Sequence, residues 1–184
     1  MNLNDLLKKK KTEVLSAWLS KLLESYSSDA RRFFRKQKDQ FANPVGTTLK
    51  RELENLYDLL LLEWDTNQLS SILDRIIRVR AIQDFTPSQA LSFVFDLKTI
   101  IREKLKKEII NQDLQDEFLK IEIVIDRLAL LGFDVYSNCR QRLYEMRVNE
   151  IRNQVSGFMR KSGIGIDFEQ PEHELNEDII KKQR

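Results

Sequence analysis

The stretch DFTPSQALSFVFDLKTIIREKL, residues 84–105, decides the fold class. Thr86 supplies a cap oxygen for the first-turn N–H groups. Pro87 fits the first helical position, where its missing N–H would be unpaired anyway, and Gln89 reaches back to complete a capping box. From that start Ala90, Phe93, Val94, Leu97, Ile100, Ile101 and Leu105 fall on one side of a helix. Leu91 and Phe95 stand four apart and off that stripe, so this helix carries a second apolar strip.

Helical spacing recurs on both sides of it. Residues 1–43 hold no Gly or Pro, and Leu15, Trp18, Leu19, Leu22 and Tyr26 share one helix face. The run Lys8 to Lys11 reads as part of a solvated first helix, which Ser27, Ser28 and Asp29 end. Ala30 to Gln40 reads as a short helix or loop pinned by Phe33 and Phe34. Asn43-Pro44 is a cap followed by a first-position proline, and Val45, Leu49, Leu53, Leu56 and Leu60 form a stripe to about Trp64. Thr66 offers the next cap. Leu69, Ile72, Leu73, Ile76 and Val79 then face inward, with Arg75, Arg78 and Arg80 on the other side.

After Asn111 a last pattern runs to about residue 160 through Leu114, Phe118, Ile121, Ile125, Leu128, Gly132, Val135 and Cys139. Nearly every other position between Ile121 and Val135 is apolar too, which predicts a central helix. At 1.5 Å per residue it would span ~68 Å. It must therefore bend, near Gly132, or overhang a domain about 40 Å across. Residues 161–184 read as a polar, disordered tail. The expected architecture is one all-α domain over residues 1–160, about six helices with a long C-terminal one.

Composition excludes other classes. The 184 residues suit one domain, and five Gly with three Pro are too few for the turns of sandwiches, barrels or doubly wound sheets. Thirty-one Lys and Arg against 29 Asp and Glu leave a net +2, not the basic excess of a dedicated nucleic-acid binder. A single cysteine allows no internal disulfide and suits a reducing cytoplasm. No apolar run reaches the ~18 residues of a membrane span, and no signal-peptide core follows the start. A cytoplasmic protein without membrane insertion is expected.

Candidate chemistry is sparse. The lone histidine, His173, falls in the polar tail, so no triad, zinc cluster or haem ligand can be assembled around it. Cys139 lies on the inner stripe of the last helix and reads as a small hydrophobe. Gly46 belongs to no phosphate loop. Asp126 and Asp134 sit eight apart, about 12 Å along a helix, too far to act on one bond. They read as partners of arginines or as edge residues. Arg75, Arg78 and Arg80 could gather an anion; capping of carbonyls near Asp84 by Arg78 or Arg80 is the simpler reading. No enzyme, metal site or cofactor is expected.

Phe41-Ala42-Asn43-Pro44-Val45-Gly46, then Ile77-Arg78-Val79-Arg80-Ala81-Ile82-Gln83-Asp84-Phe85-Thr86-Pro87-Ser88-Gln89-Ala90 with Phe93 and Leu97-Lys98, then Phe133-Asp134-Val135-Tyr136 and Val148-Asn149-Glu150, resemble the N-terminal domain of RsbR/RsbRD-type stressosome co-antagonists. The similarity spans roughly residues 10–155. It implies a sensory module of bacterial stress signalling with a globin-like, all-helical fold that holds no haem, dimerises, and works beside STAS domains and a kinase. Asn43, Pro44, Arg78, Arg80, Asp84, Pro87, Gln89, Phe93, Asp134, Tyr136 and Glu150 carry the match, without an assigned role. The residues after 160 are too few for a STAS domain, so a stand-alone regulatory module is expected. The alternative is a globin-like protein that holds a tetrapyrrole or apolar ligand without a histidine.

The surplus apolar surface on the last two helices predicts a homodimer closed by a four-helix bundle. Its candidate interface is Leu91, Phe95, Lys98 and Tyr136. The competing expectation is that the tail, or the Phe33-Phe34 segment, covers Leu91 and Phe95 within one chain.

Overall fold

Asn2 accepts a hydrogen bond from Asp5 N through its side chain and starts α1, Leu3–Glu24. In the computed structural model, five more helices follow: α2 Ser28–Lys36, α3 Pro44–Leu60, α4 Thr66–Ile82, α5 Pro87–Asn111 and α6 Gln115–Lys161. The structure describes residues 2–37, 39–62, 65–83 and 85–162, and these contain no strand. The expected tail, from 163 onward, lies outside the described residues.

The starts of α2 to α5 each have their own capping side chain as well. Ser27 caps α2 through Ala30 N. Asn43 caps α3 through Gly46 N, with Pro44 first in the helix. Asp65, not Thr66, caps α4; its carboxylate accepts from both Asn67 N and Gln68 N, a stronger cap than a hydroxyl, and Thr66 becomes the first helical residue. Thr86 and Gln89 form the reciprocal capping box of α5. Between α5 and α6, Asp113 takes a left-handed φ of 53°, a conformation that Asp tolerates better than most side chains.

The chain divides into two compact units, residues 1–142 and 143–184. In the first, α1 lies against α5: the Trp18 ring stacks on Phe93 with centroids 6.1 Å apart, and Trp18 Nε1 donates to Phe93 O at 2.6 Å. Tyr57 of α3 donates to Leu7 O at 3.0 Å. Leu3, Leu6 and Leu7 are buried as well, so the inward face of α1 begins a dozen residues before the stripe that starts at Leu15. Glu52 of α3 is buried and held by Arg51, Asn55 and Arg75.

The N-terminal part of α6 runs antiparallel to α5. Lys98 pairs with Asp126, Arg102 with Glu122, and Leu91 packs at Gly132. Phe118, Ile125, Leu128, Gly132 and Val135 are buried as the stripe predicts. The helix is not central, however. Ile123, Leu130 and Phe133 are exposed, because among the described residues only one side of α6 meets the chain's own helices. In the second unit the described residues, 143–162, form the end of α6 and a single turn residue.

Candidate functional site

One residue of α4 departs from the expected sides of the helix. Arg80, expected on the outer side with Arg75 and Arg78, is fully buried, and Val79 is half-exposed in its place. The inner face of α4 continues from Ile76 and Ile77 to Arg80 and Ala81, the i, i+1, i+4, i+5 pattern of a helix side. What makes room for a guanidinium there is a set of neutral acceptors from two other helices. Arg80 Nε donates to Ala90 O at 3.1 Å, and Nη2 donates to Gln89 O at 2.6 Å and to Ser25 Oγ at 3.0 Å. The carbonyl-capping reading thus holds for Arg80.

Two aromatic rings cover the same group. The guanidinium carbon lies 4.5 Å from the Phe85 ring centre and 5.5 Å from that of Tyr26. Tyr26 in turn meets Phe34 and Phe85 edge-on, each at 5.3 Å. Among the described residues Arg80 has no carboxylate ion pair. Its Nη1 and the Tyr26 hydroxyl are buried without a hydrogen-bond partner. Burial pushes the Arg80 pKa down from its usual value, with Tyr26 acting in the opposite sense, and burial pushes the Tyr26 phenol up. The arrangement holds and orients; it offers no nucleophile paired with a base.

This cluster reaches α6. Tyr136 Oη donates to Phe85 O at 2.7 Å, and Arg140 Nη1 to Ala81 O at 3.3 Å. The turn from α4 to α5 therefore contacts the end of α1 through Arg80 and Phe85, and α6 through Tyr136 and Arg140. Of the residues that complete the site, the sequence places Tyr26 on the inner face of the first helix and Phe85 within the family-like string, but it ties neither to Arg80, and Ser25 carries no signal.

The other singled-out residues separate into distinct places. Arg75 pairs with Glu52 at 2.9 Å and Arg78 with Asp74 at 2.6 Å, so the three arginines form no common anion site. Asn43 is buried; its Nδ2 donates to Phe34 O and Gln37 O while its Oδ1 caps α3, which fixes the end of α2 to the start of α3. Pro44 and Pro87 occupy first helical positions, Gln89 closes its capping box, and Phe93 is core. Leu91 and Tyr136 are buried within the chain, and Lys98 is tied to Asp126. Phe95 alone of the four candidate interface residues is an exposed hydrophobe, at 52%. Asp126 thus pairs with a lysine and not an arginine; Asp134 and Glu150 are exposed. Asp84 and His173 lie outside the described residues.

Cys139 is half-buried against the core, and burial pushes its thiol pKa up. Among the described residues no group of three or more His, Cys, Asp or Glu could hold a metal ion, and no helix is long and apolar enough to cross a membrane.

No curated protein and no solved structure matches the chain. A family model does, over residues 12–151, which takes in α2 to α5, most of α1 and α6, and the whole Arg80 cluster; the chain belongs to the RsbT co-antagonist protein rsbRD N-terminal domain family.

Proposed function

We propose that this chain is a sensory or regulatory domain of bacterial cytoplasmic signalling, globin-like and without haem, that dimerises and acts by protein contact on a kinase or STAS-type partner. Family membership supports the signalling role. The observation that carries dimerisation is the exposed apolar patch on the outer side of α5 and α6. Phe95 lies between Leu91 and Lys98 on α5, and Leu130 lies between Asp126 and Gly132 on α6, so the Leu91–Gly132 and Lys98–Asp126 contacts bracket both. Phe133 adjoins them. Leu130 is 70% exposed and Phe133 52%, and clustered surplus apolar side chains rimmed by charge favour a partner surface. Leu91, packed at Gly132, lies beneath this patch, and Lys98 rims it through its pair with Asp126. A twofold pairing of α5 and α6 would cover it with its own copy.

Sedimentation velocity at micromolar concentration tests this reading. The expected result is a dimer; a monomer that stays monomeric on concentration overturns it. Co-purification with a STAS-domain protein or a kinase tests the second half.

A further inference from the structure

We propose that the outer face of α2 is a docking surface for a carboxylate-rich segment of a partner protein. It rests on the reading of the chain as a domain that works by protein contact, but not on the α5–α6 pairing.

Charge is distributed unevenly along the chain. Residues 28–39 hold five bases (Arg31, Arg32, Arg35, Lys36, Lys38) and two acids (Asp29, Asp39), a local +3 in a protein whose total is +2. The two basic runs differ in degree: Lys8 and Lys9 of α1 have no ion pair among the described residues, but the other two lysines of that run do. In α1, Lys10 pairs with Glu13, and Lys11 with Asp58 and Glu54. In α2, none of Arg31, Arg32, Arg35 and Lys36 has an ion pair among the described residues. Among the described residues Arg35 donates to the neutral Ser20 Oγ, at 2.7 Å, Arg31 Nε is buried with no acceptor, and the Glu24 carboxylate acts on both arginines only through its charge.

The face is open, with two shallow depressions, and it is fixed in place. A depression of about 460 Å³ is lined by Asp29, Arg32, Phe33, Lys36 and Gln37. A second, of about 360 Å³, lies beside it along Ser28, Arg31, Arg32, Arg35 and Lys36. Asn43 fastens the end of α2 through Phe34 O and Gln37 O, and the Phe34 ring packs on Tyr26, so the bases are presented on a seated helix. Phe33 remains about half-exposed among them.

The chemistry selects the occupant. Three arginines present planar forks that match carboxylates in a bidentate way. Phosphate-backbone binding goes with a strong basic excess, and the chain as a whole carries only +2. A membrane-surface helix needs a full apolar face, and here Phe34 is turned inward, leaving Phe33 as the exposed large hydrophobe of α2. An acidic segment with one apolar side chain to meet Phe33 fits what is left.

The test uses the full chain and a fluorescein-labelled Glu-rich peptide with one central Trp, followed by anisotropy at about 0.1 M salt, where screening acts over ~10 Å. Saturable binding is expected, absent for the Gln counterpart. Arg32→Glu with Lys36→Glu should weaken it about tenfold or more. Lys8→Glu with Lys9→Glu, which reverses two exposed charges of the α1 run, should leave it unchanged. Arg32→Gln with Lys36→Gln serves should the reversal disturb folding, which circular dichroism reports. No saturable binding, equal loss in the α1 variant, or binding to phosphatidylserine vesicles in place of the peptide overturns the proposal. A failed dimer in sedimentation would leave these outcomes unaffected.

Discussion

The Arg80 guanidinium carbon sits 4.5 Å from the centre of the Phe85 ring, and the Phe85 carbonyl accepts the Tyr136 hydroxyl at 2.7 Å. A buried cation and the last long helix are thus fastened to opposite sides of one residue. The cation is held by neutral acceptors and ring faces, with no counter-charge hydrogen-bonded to it. Shape and delocalisation should therefore matter more than charge. Arg80→Lys keeps the charge but replaces a planar, weakly hydrated fork by a compact, strongly hydrated ammonium. It should cost about 3 kcal/mol, the range for a buried charge left without its partners. Arg80→Met should cost less, because it loses the hydrogen bonds but buries no charge. Denaturant melts decide the order; a lysine variant more stable than the methionine one would show that charge is what the site requires.

Thr86 Oγ1 accepts from Gln89 N at 3.3 Å, and Gln89 Oε1 accepts from Thr86 N at 3.0 Å. Thr86→Ala removes the first of these and isolates the second. A loss of about 1 kcal/mol is expected, seen as a lower melting temperature. An unchanged melt would mean that the Thr86 hydroxyl adds nothing to the first turn of α5.

The start of α5 was legible because its determinants are local: a cap, a proline and a glutamine within four residues. The buried stripes of α4, α5 and α6 were legible because apolar side chains recur with the helix period. Arg80 was not, because a charged residue is placed outside by its type, although it stands four after Ile76 and seven after Leu73, within the buried stripe. Its acceptors come from Ser25, 55 residues earlier, and from Gln89 and Ala90, nine and ten residues later. Glu52 was missed for the same reason. Its partner Arg75 lies on the next helix, and although position 52 stands three after Leu49 and four before Leu56 on the inner face, its charge keeps it out of the stripe. For α6 the pattern was read correctly and its meaning was not: apolar residues all round predict full burial, yet Leu130 and Phe133 face outward. Spacing alone cannot distinguish a helix covered by its own chain from one with a face left over.

Glu52 gives a pH prediction with a definite sign. Burial raises its pKa, but hydrogen bonds from Arg75, Asn55 and Arg51 outweigh that and bring it below the ordinary 4.5. A carboxylate whose folded pKa is depressed contributes stability above its unfolded pKa and loses it as the pH falls through the folded value. Glu52→Gln should therefore cost about 1–3 kcal/mol at neutral pH, since it leaves charged donors facing a neutral amide. The gap between wild type and variant should narrow on acidification below about pH 4.5. Melting both proteins from neutral to acid pH checks this. A gap that stays constant would mean that Glu52 titrates as it does in the unfolded chain.

Phe95→Glu tests the proposed pairing of α5 and α6 most directly. Phe95 stands outside the core stripe, so Phe93, Leu97 and Ile101, all buried, keep their packing when it is changed. In a monomer, exchanging an exposed ring for a carboxylate should alter stability little, within about 0.5 kcal/mol. In a dimer that covers the patch, the new charge would be desolvated opposite its own symmetry copy, and the unpaired buried carboxylates should shift the population to monomer. The two cases separate cleanly, because a folding defect lowers the melting temperature of a dilute monomer whereas an interface defect does not. Sedimentation of wild type and variant at one micromolar-range concentration, with melts of both, gives the answer. A variant that remains fully dimeric would remove Phe95 from the interface and leave Leu130 and Phe133 without the neighbour that makes them a patch.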